Sequence, residues 1–131
     1  MGLLLDTHIW LWSLVDPDQL SPRVRVELAS AGAELWLSPI SVWEALRLAR
    51  RGRLTVEGDL TRWIEDLLRA TPRREASLTT EVAIASEQLD LPHRDPADRF
   101  IVATAKVYDL TLVTADERLI RSGAVNVLPN R

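Results

Sequence analysis

The sequence predicts an α/β layer sandwich, with a mostly parallel central sheet flanked by helices, and three observations carry that prediction. Short apolar runs alternate with helical patterns along the chain, the signature of strands connected by helices. The opening run Leu3-Leu4-Leu5 has no polar alternation, as in a strand buried on both faces of a parallel sheet. That run ends on Asp6, and open α/β sheets place ligands beyond the carboxyl ends of their strands.

The elements follow in order. Thr7 to Val15 is a mostly apolar helix carrying Ile9, Trp10, Leu11, Trp12 and Leu14, and Asp16-Pro17-Asp18 is a turn. Ser21-Pro22 opens a second helix with an N-cap and a proline at its first position, and Gly32 is placed to stop it. Glu34 to Ser38 reads as a short strand ended by Pro39. Ser41-Val42-Trp43-Glu44 has capping-box spacing, so a third helix is expected from Ser41 to about Arg51, with Gly52 its terminator. Asp59 to Ala70 is amphipathic, with Leu60, Trp63, Ile64, Leu67 and Leu68 at helical spacing; Pro72 closes it and Arg73-Arg74-Glu75 is expected to be exposed. Ser77 to Leu89 is a further helix, Asp90 to Arg94 a polar turn, and Asp95-Pro96-Ala97-Asp98 opens a helix of small residues. Leu110 to Thr114 is a β-branched strand ending at Ala115-Asp116. Asp116 to Ser122 is a short helix stopped by Gly123, and Val125 to Leu128 is the last strand. No linker or repeat interrupts the pattern, so residues 1–131 are expected to form one domain.

Composition narrows the function. The 131 residues are 47% hydrophobic and 27% charged, a globular balance. The absence of cysteine excludes a disulfide scaffold, a zinc–thiolate site and a Cys nucleophile. The apolar run Met1 to Val15 has no preceding Lys or Arg and is interrupted by Asp6 and His8, so it does not read as a secretory leader. No stretch approaches a membrane span. The expectation is a soluble, cytoplasmic protein. A net charge of −3 does not mark the whole molecule as a nucleic-acid binder. The basic residues are fifteen Arg and the single Lys106.

Four carboxylates share one kind of place. Asp6 and Asp116 directly follow strands, while Glu44 and Asp98 are expected in the first turns of helices. Each has a structural explanation when taken alone, because Asp and Glu are favoured as caps and in first turns. Taken together, they gather at one edge of a parallel sheet and repel one another unless a cation sits among them. Oxygen donors without cysteine suit Mg²⁺ or Mn²⁺. A hard divalent ion held by carboxylates activates water and stabilises a phosphoryl transition state, so the pattern points to a metal-dependent phosphodiester or phosphoryl site.

Leu3-Leu4-Leu5-Asp6-Thr7-His8, Ser41 through Glu44, Asp95-Pro96-Ala97-Asp98-Arg99 and Thr114-Ala115-Asp116 resemble, in order and spacing, the PIN-domain family, and more narrowly its VapC-type toxins. The resemblance covers nearly the whole chain. It implies a PIN-like three-layer sandwich and a Mg²⁺- or Mn²⁺-dependent endoribonuclease, the toxin of a type II toxin–antitoxin pair. It matches Asp6, Glu44, Asp98 and Asp116 to the family's acidic quartet, Asp95 to an accessory acid and Thr114 to a polar residue near the metal. It also implies a homodimer, an RNA substrate, and a cognate antitoxin whose segment lies in an apolar groove near the first helices. Ala97 departs from the pattern, standing where a larger apolar residue such as Phe is common.

Other residues carry two readings. His8 is a ligand or general base, or a packing residue of the first turn. Arg99 orients Asp98 or contacts phosphate, or forms an ordinary salt bridge. Arg47, Arg50, Arg51 and Arg53 follow Glu44 and contact RNA phosphates, or form a solvated face near a helix C-terminus. Of the five tryptophans, Trp10, Trp12, Trp36, Trp43 and Trp63, most belong to the core, but Trp10 and Trp12 cannot both face one side of a helix. Two rivals remain. A Mg²⁺-binding phospho-accepting regulatory domain needs a Lys ending a late strand, whereas Lys106 falls inside a helix. A catalytically silent interaction domain keeps the acids merely as caps.

Overall fold

A computed structural model describes residues 2–131; Met1, the first residue of the apolar opening run, lies outside the described residues. Five strands and seven α-helices alternate: β1 (Gly2–Leu5), α1 (Thr7–Val15), α2 (Pro22–Ala29), β2 (Glu34–Leu37), α3 (Pro39–Arg50), α4 (Leu60–Arg69), β3 (Arg74–Glu75), α5 (Thr80–Gln88), α6 (Pro96–Val107), β4 (Thr111–Thr114), α7 (Glu117–Ser122) and β5 (Val127–Pro129). The strands form one sheet in the order β3-β2-β1-β4-β5, and every pairing is parallel. β1 is central, with Leu3 opposite Leu35 on one side and opposite Thr111 on the other.

That position explains the unbroken leucine run. Leu3 and Leu5 join the core beneath one face with Ile9, Trp10 and Leu11 of α1, Val24 of α2, Ala45 of α3 and Ile64 of α4. Leu4 points to the opposite face, with Ile101, Val102 and Ala105 of α6 and Leu119 of α7. A strand covered on both sides needs apolar residues at every position. The result is the expected three-layer arrangement. Trp10 is fully buried and donates from Nε1 to Thr71 Oγ1 at 2.9 Å, so its one polar atom is satisfied and its large apolar area, about 2–3 kcal/mol of burial, is retained.

Several boundaries differ from the sequence reading, each for a local reason. Ser38, not Ser41, caps α3, accepting from Ile40 N at 3.1 Å, with Pro39 at the first helical position. A Ser-Pro pair supplies both the cap and a preset φ, and so outcompetes the Ser41–Glu44 box. Ser30 rather than Gly32 ends α2. Thr79 caps α5, which therefore begins three residues later than Ser77. The last strand is displaced to Val127–Pro129. Arg74-Glu75, expected only to be exposed, is exposed and also forms the edge strand β3 beside Trp36-Leu37. Gly52 and Gly123 stand at the ends of α3 and α7 with φ of +71° and +68°, the left-handed turn that favours glycine. Among the described residues, no helix is long and apolar enough to cross a membrane.

Candidate functional site

The strand order reverses between β1 and β4: one continues the sheet toward β2, the other toward β5. At such a switch point the connections diverge and leave a crevice beyond the strand ends. Asp6 follows β1 there, and Asp116 lies just past the end of β4.

Each acid is positioned by its neighbours. Asp6 caps α1, accepting from Thr7 N at 2.9 Å through Oδ1. Its other oxygen accepts from Thr114 Oγ1 at 2.6 Å. Thr114 Oγ1 in turn accepts from Asp116 N at 3.1 Å, so this one buried hydroxyl ties the two strand ends together. Asp116 caps α7 through Oδ1, which accepts from Arg118 N at 2.9 Å. Glu44 accepts from Thr7 Oγ1 at 2.5 Å. Thr7 also lies 3.0 Å from Ser41 Oγ; having one proton, it gives it to the carboxylate, and Ser41 donates to Thr7. Because α3 starts at Pro39, Glu44 sits in its second turn rather than its first and has no capping duty. Asp95 caps α6, accepting from Ala97 N at 3.0 Å, which frees Asp98 from that role as well.

Asp6, Glu44, Asp95, Asp98 and Asp116 line a cleft of about 410 Å³ that His8 and Trp12 also border, and none of its lining residues is Lys or Arg. The carboxyl groups feel that crowding. Burial, reinforced by the charges of Asp6, Asp95 and Glu44, pushes Asp98 up to about 6. Burial also raises Glu44 and Asp6, despite the hydrogen bonds that Thr7 and Thr114 give them. Asp116 goes the other way. Burial alone would raise it, but the His93 hydrogen bond and the backbone N–H groups of Arg118 and Leu119 together outweigh that penalty and hold it low.

His93 is the residue that sequence reasoning missed. Its side chain is fully buried, and Nε2 lies 3.2 Å from Asp116 Oδ2. Nδ1 has no partner among the described residues. The tautomer protonated at Nε2 donates to Asp116 and leaves only a lone pair unmatched, the cheaper of the two vacancies. Ligand atoms of His93, Asp98 and Asp116 lie within 4.8 Å of one another, close enough to share a metal ion. Asp6 and Glu44 border the same cleft outside that group.

Arg99 overturns both of its sequence readings. It neither pairs with Asp98 nor faces the cleft. Its guanidinium donates to the carbonyls of Ser86 at 3.0 Å, Leu89 at 2.9 Å, Leu91 at 3.0 Å and His93 at 3.0 Å. A planar fork of donors suits this clasp, which fixes the loop that presents His93. His8 is exposed and rests against Trp12, ring centroids 5.6 Å apart. The tryptophans separate as helix geometry requires: Trp10 is core and Trp12 borders the cleft. The exposed one is Trp43, on α3.

Comparisons with known proteins agree with this architecture. Ribonuclease VapC22 of Mycobacterium tuberculosis is 34% identical over 118 residues, which cover 89% of this chain and 88% of that protein. A DNA-bound VapBC from Salmonella typhimurium has the same fold, with a TM-score of 0.72 and 17% identity over 100% of this chain and 99% of that one. FitAcB from Neisseria gonorrhoeae aligns with a TM-score of 0.68 and 21% identity, covering 98% and 97% of the two chains. The family profile described as PIN domain matches residues 3–124. The chain belongs to the PIN-domain family.

Proposed function

We propose that this chain is a divalent-metal-dependent endoribonuclease, the toxin of a toxin–antitoxin pair, and that it acts as one PIN-like domain. The observation that carries the reading is the cleft at the β1/β4 switch point, where five carboxylates meet with no Lys or Arg among them. The donor set fits a hard cation. It is all oxygen apart from His93, and its members raise one another's pKa, a repulsion that Mg²⁺ or Mn²⁺ relieves. Asp6, Glu44, Asp98 and Asp116 would hold the ion, with Asp95 beside them. When bound, it supplies charge neutralisation at the scissile phosphate and lowers the pKa of a water.

The chain's own groups do the positioning. Thr114 fixes Asp6, Thr7 fixes Glu44, and His93 fixes Asp116, so three of the four acids are oriented before any ligand arrives. Water is the nucleophile. The chain has no cysteine, and the Thr7 and Thr114 hydroxyls already serve the carboxylates. Hydrolysis adds water across the P–O bond, leaving a phosphomonoester on one fragment and a hydroxyl on the other.

The relative Ribonuclease VapC22 supports RNA as the substrate, and VapBC neighbours support an antitoxin partner. A groove of about 300 Å³ near α1 and α2, with Leu14, Leu20, Leu28 and Leu35 in its wall, is suited to an apolar antitoxin segment. A homodimer and a cytoplasmic location complete the reading. The test is cleavage of an RNA panel, including folded tRNA and rRNA fragments, with Mn²⁺, Mg²⁺ or EDTA beside Asp6→Asn. Cutting that needs metal and vanishes in the variant is expected; an Asp6→Asn protein that cuts as well as the native chain would sink the assignment.

A further inference from the structure

A second cavity, of about 500 Å³, adjoins the acidic cleft and shares Glu44 and Asp95 with it, but its other walls are of opposite character: Trp43, Arg47, Arg51 and Arg94. Trp43 and Arg47 on α3 and Arg51 at its C-cap stand four residues apart and so continue one stripe of that helix. Among the described residues, no ion pair engages Arg47, Arg51 or Arg94. The Arg47 guanidinium lies over the Trp43 ring, 4.6 Å from its centroid. Even so, Trp43 remains 44% exposed, and a large aromatic left in solvent beside three unpaired cations is matched to a flat, electron-rich group that carries phosphates.

We infer that this cavity is a nucleotide subsite, in which Trp43 stacks an unpaired base of the RNA while Arg47, Arg51 and Arg94 hold the phosphates beside it, next to the bond cut in the cleft. The inference rests on the ribonuclease reading and adds to it the residues that take a base and its phosphates beside the cut bond. Charge decides between occupants: the three cations suit a polyanion, and the shared acids mark where that polyanion must meet added cation rather than protein. In a duplex the bases are stacked on each other, so only an unpaired base can offer its face to Trp43.

The test measures binding of a fluorescein-labelled oligouridylate in the Asp6→Asn background, where the probe stays intact. Trp43→Ala is expected to weaken binding about tenfold, and Trp43→Phe to recover most of the loss. A probe of equal phosphate number built with abasic spacers should bind the two backgrounds alike, because the base that Trp43 recognises is missing. With Asp6 present, Trp43→Ala should raise KM and leave kcat nearly unchanged. If Trp43→Ala binds oligouridylate as tightly as its parent while the native chain still cuts RNA, the subsite is wrong and the nuclease stands. If the native chain neither binds nor cuts RNA, both fail together. A change in the sedimentation of the protein alone on Trp43→Ala would assign that face to a protein interface and overturn the subsite.

Discussion

Two neighbouring cavities share Glu44 and Asp95 and otherwise oppose each other: one is lined by carboxylates with no Lys or Arg, the other by three arginines. Helix α3 borders both: its Glu44 lines the two cavities, while its Arg47 and its C-cap Arg51 line the second. Among the described residues, one arginine pairs with these acids: Arg118, largely exposed and outside the cleft lining, places Nε 3.8 Å from Asp116 Oδ1. Arg47 lowers the Glu44 pKa but is the last of the influences on it, while burial, the first, raises it. A surface optimised for stability would interleave the charges. Keeping them apart costs repulsion among the acids, which makes sense where the neutralising charge comes from solution and the arginines are reserved for a ligand.

The contrast can be broken most severely at Asp6, which links the strand ends and borders the acidic cleft. Asp6→Asn is expected to lower RNA cleavage on the order of 100- to 1,000-fold. Its thermal midpoint should change little, since removing a carboxyl whose charge burial disfavours offsets the one hydrogen bond, from Thr7 N or Thr114 Oγ1, that a single amide oxygen cannot accept. Circular dichroism melts run beside the cleavage assay separate the two effects.

Arg99 lies behind the acidic cleft. Removing its fork leaves four carbonyls without their donor, so Arg99→Ala should cost roughly 3 kcal/mol, read as a shift in the urea midpoint at constant m-value. Arg99→Lys should recover only part, because an ammonium lacks the planar spread of donors. His93→Ala should have a smaller, more local effect, weakening Mn²⁺ binding about 10-fold or more by freeing Asp116, measurable by calorimetry.

The acidic cavity also sets a pH dependence. An unfolded Asp titrates near 3.9, whereas folded Asp98 is raised to about 6, so the folded chain binds that proton more tightly. Without divalent metal, stability therefore rises as pH falls from above about 6 toward about 4, and is lost again as pH climbs through 6. Glu44 and Asp6, also raised, act in the same direction. Asp116, held low, opposes them only below its ordinary range. Asp98→Asn should flatten the profile and stabilise the metal-free chain near neutral pH, as thermal melts across pH would show.

Much of this was legible in the sequence, and the misses share a cause. The leucine run announced a central strand because burial on both faces leaves a local mark. Asp6 and Asp116 could be placed because they follow strands, and strand ends in a parallel sheet share an edge. Glu44 was found through the wrong neighbour: the Ser41 spacing suggested a capping box, while Ser38-Pro39 captured the helix start and left Glu44 free. β3 was invisible because two exposed polar residues at a sheet edge carry no periodicity. His93 and Arg99 escaped because their partners are distant or irregular. His93 meets Asp116 across 23 residues, and Arg99 binds carbonyls of a loop whose path no pattern specifies. Only the Asp90–Arg94 turn, a polar loop directly before an acid-bearing helix, hinted at it.

On the proposed reading, the carboxylates of the cleft, which no Lys or Arg lines, are gathered to bind a cation. Calorimetric titration of Mn²⁺ into the native chain and into Asp98→Asn, in two buffers of different ionisation heat near pH 6, tests it most directly. Saturable binding by the native chain with release of a proton is expected, and weaker binding without that proton in the variant. Absence of binding by the native chain, or binding that Asp98→Asn leaves unchanged in affinity and proton release, would contradict it.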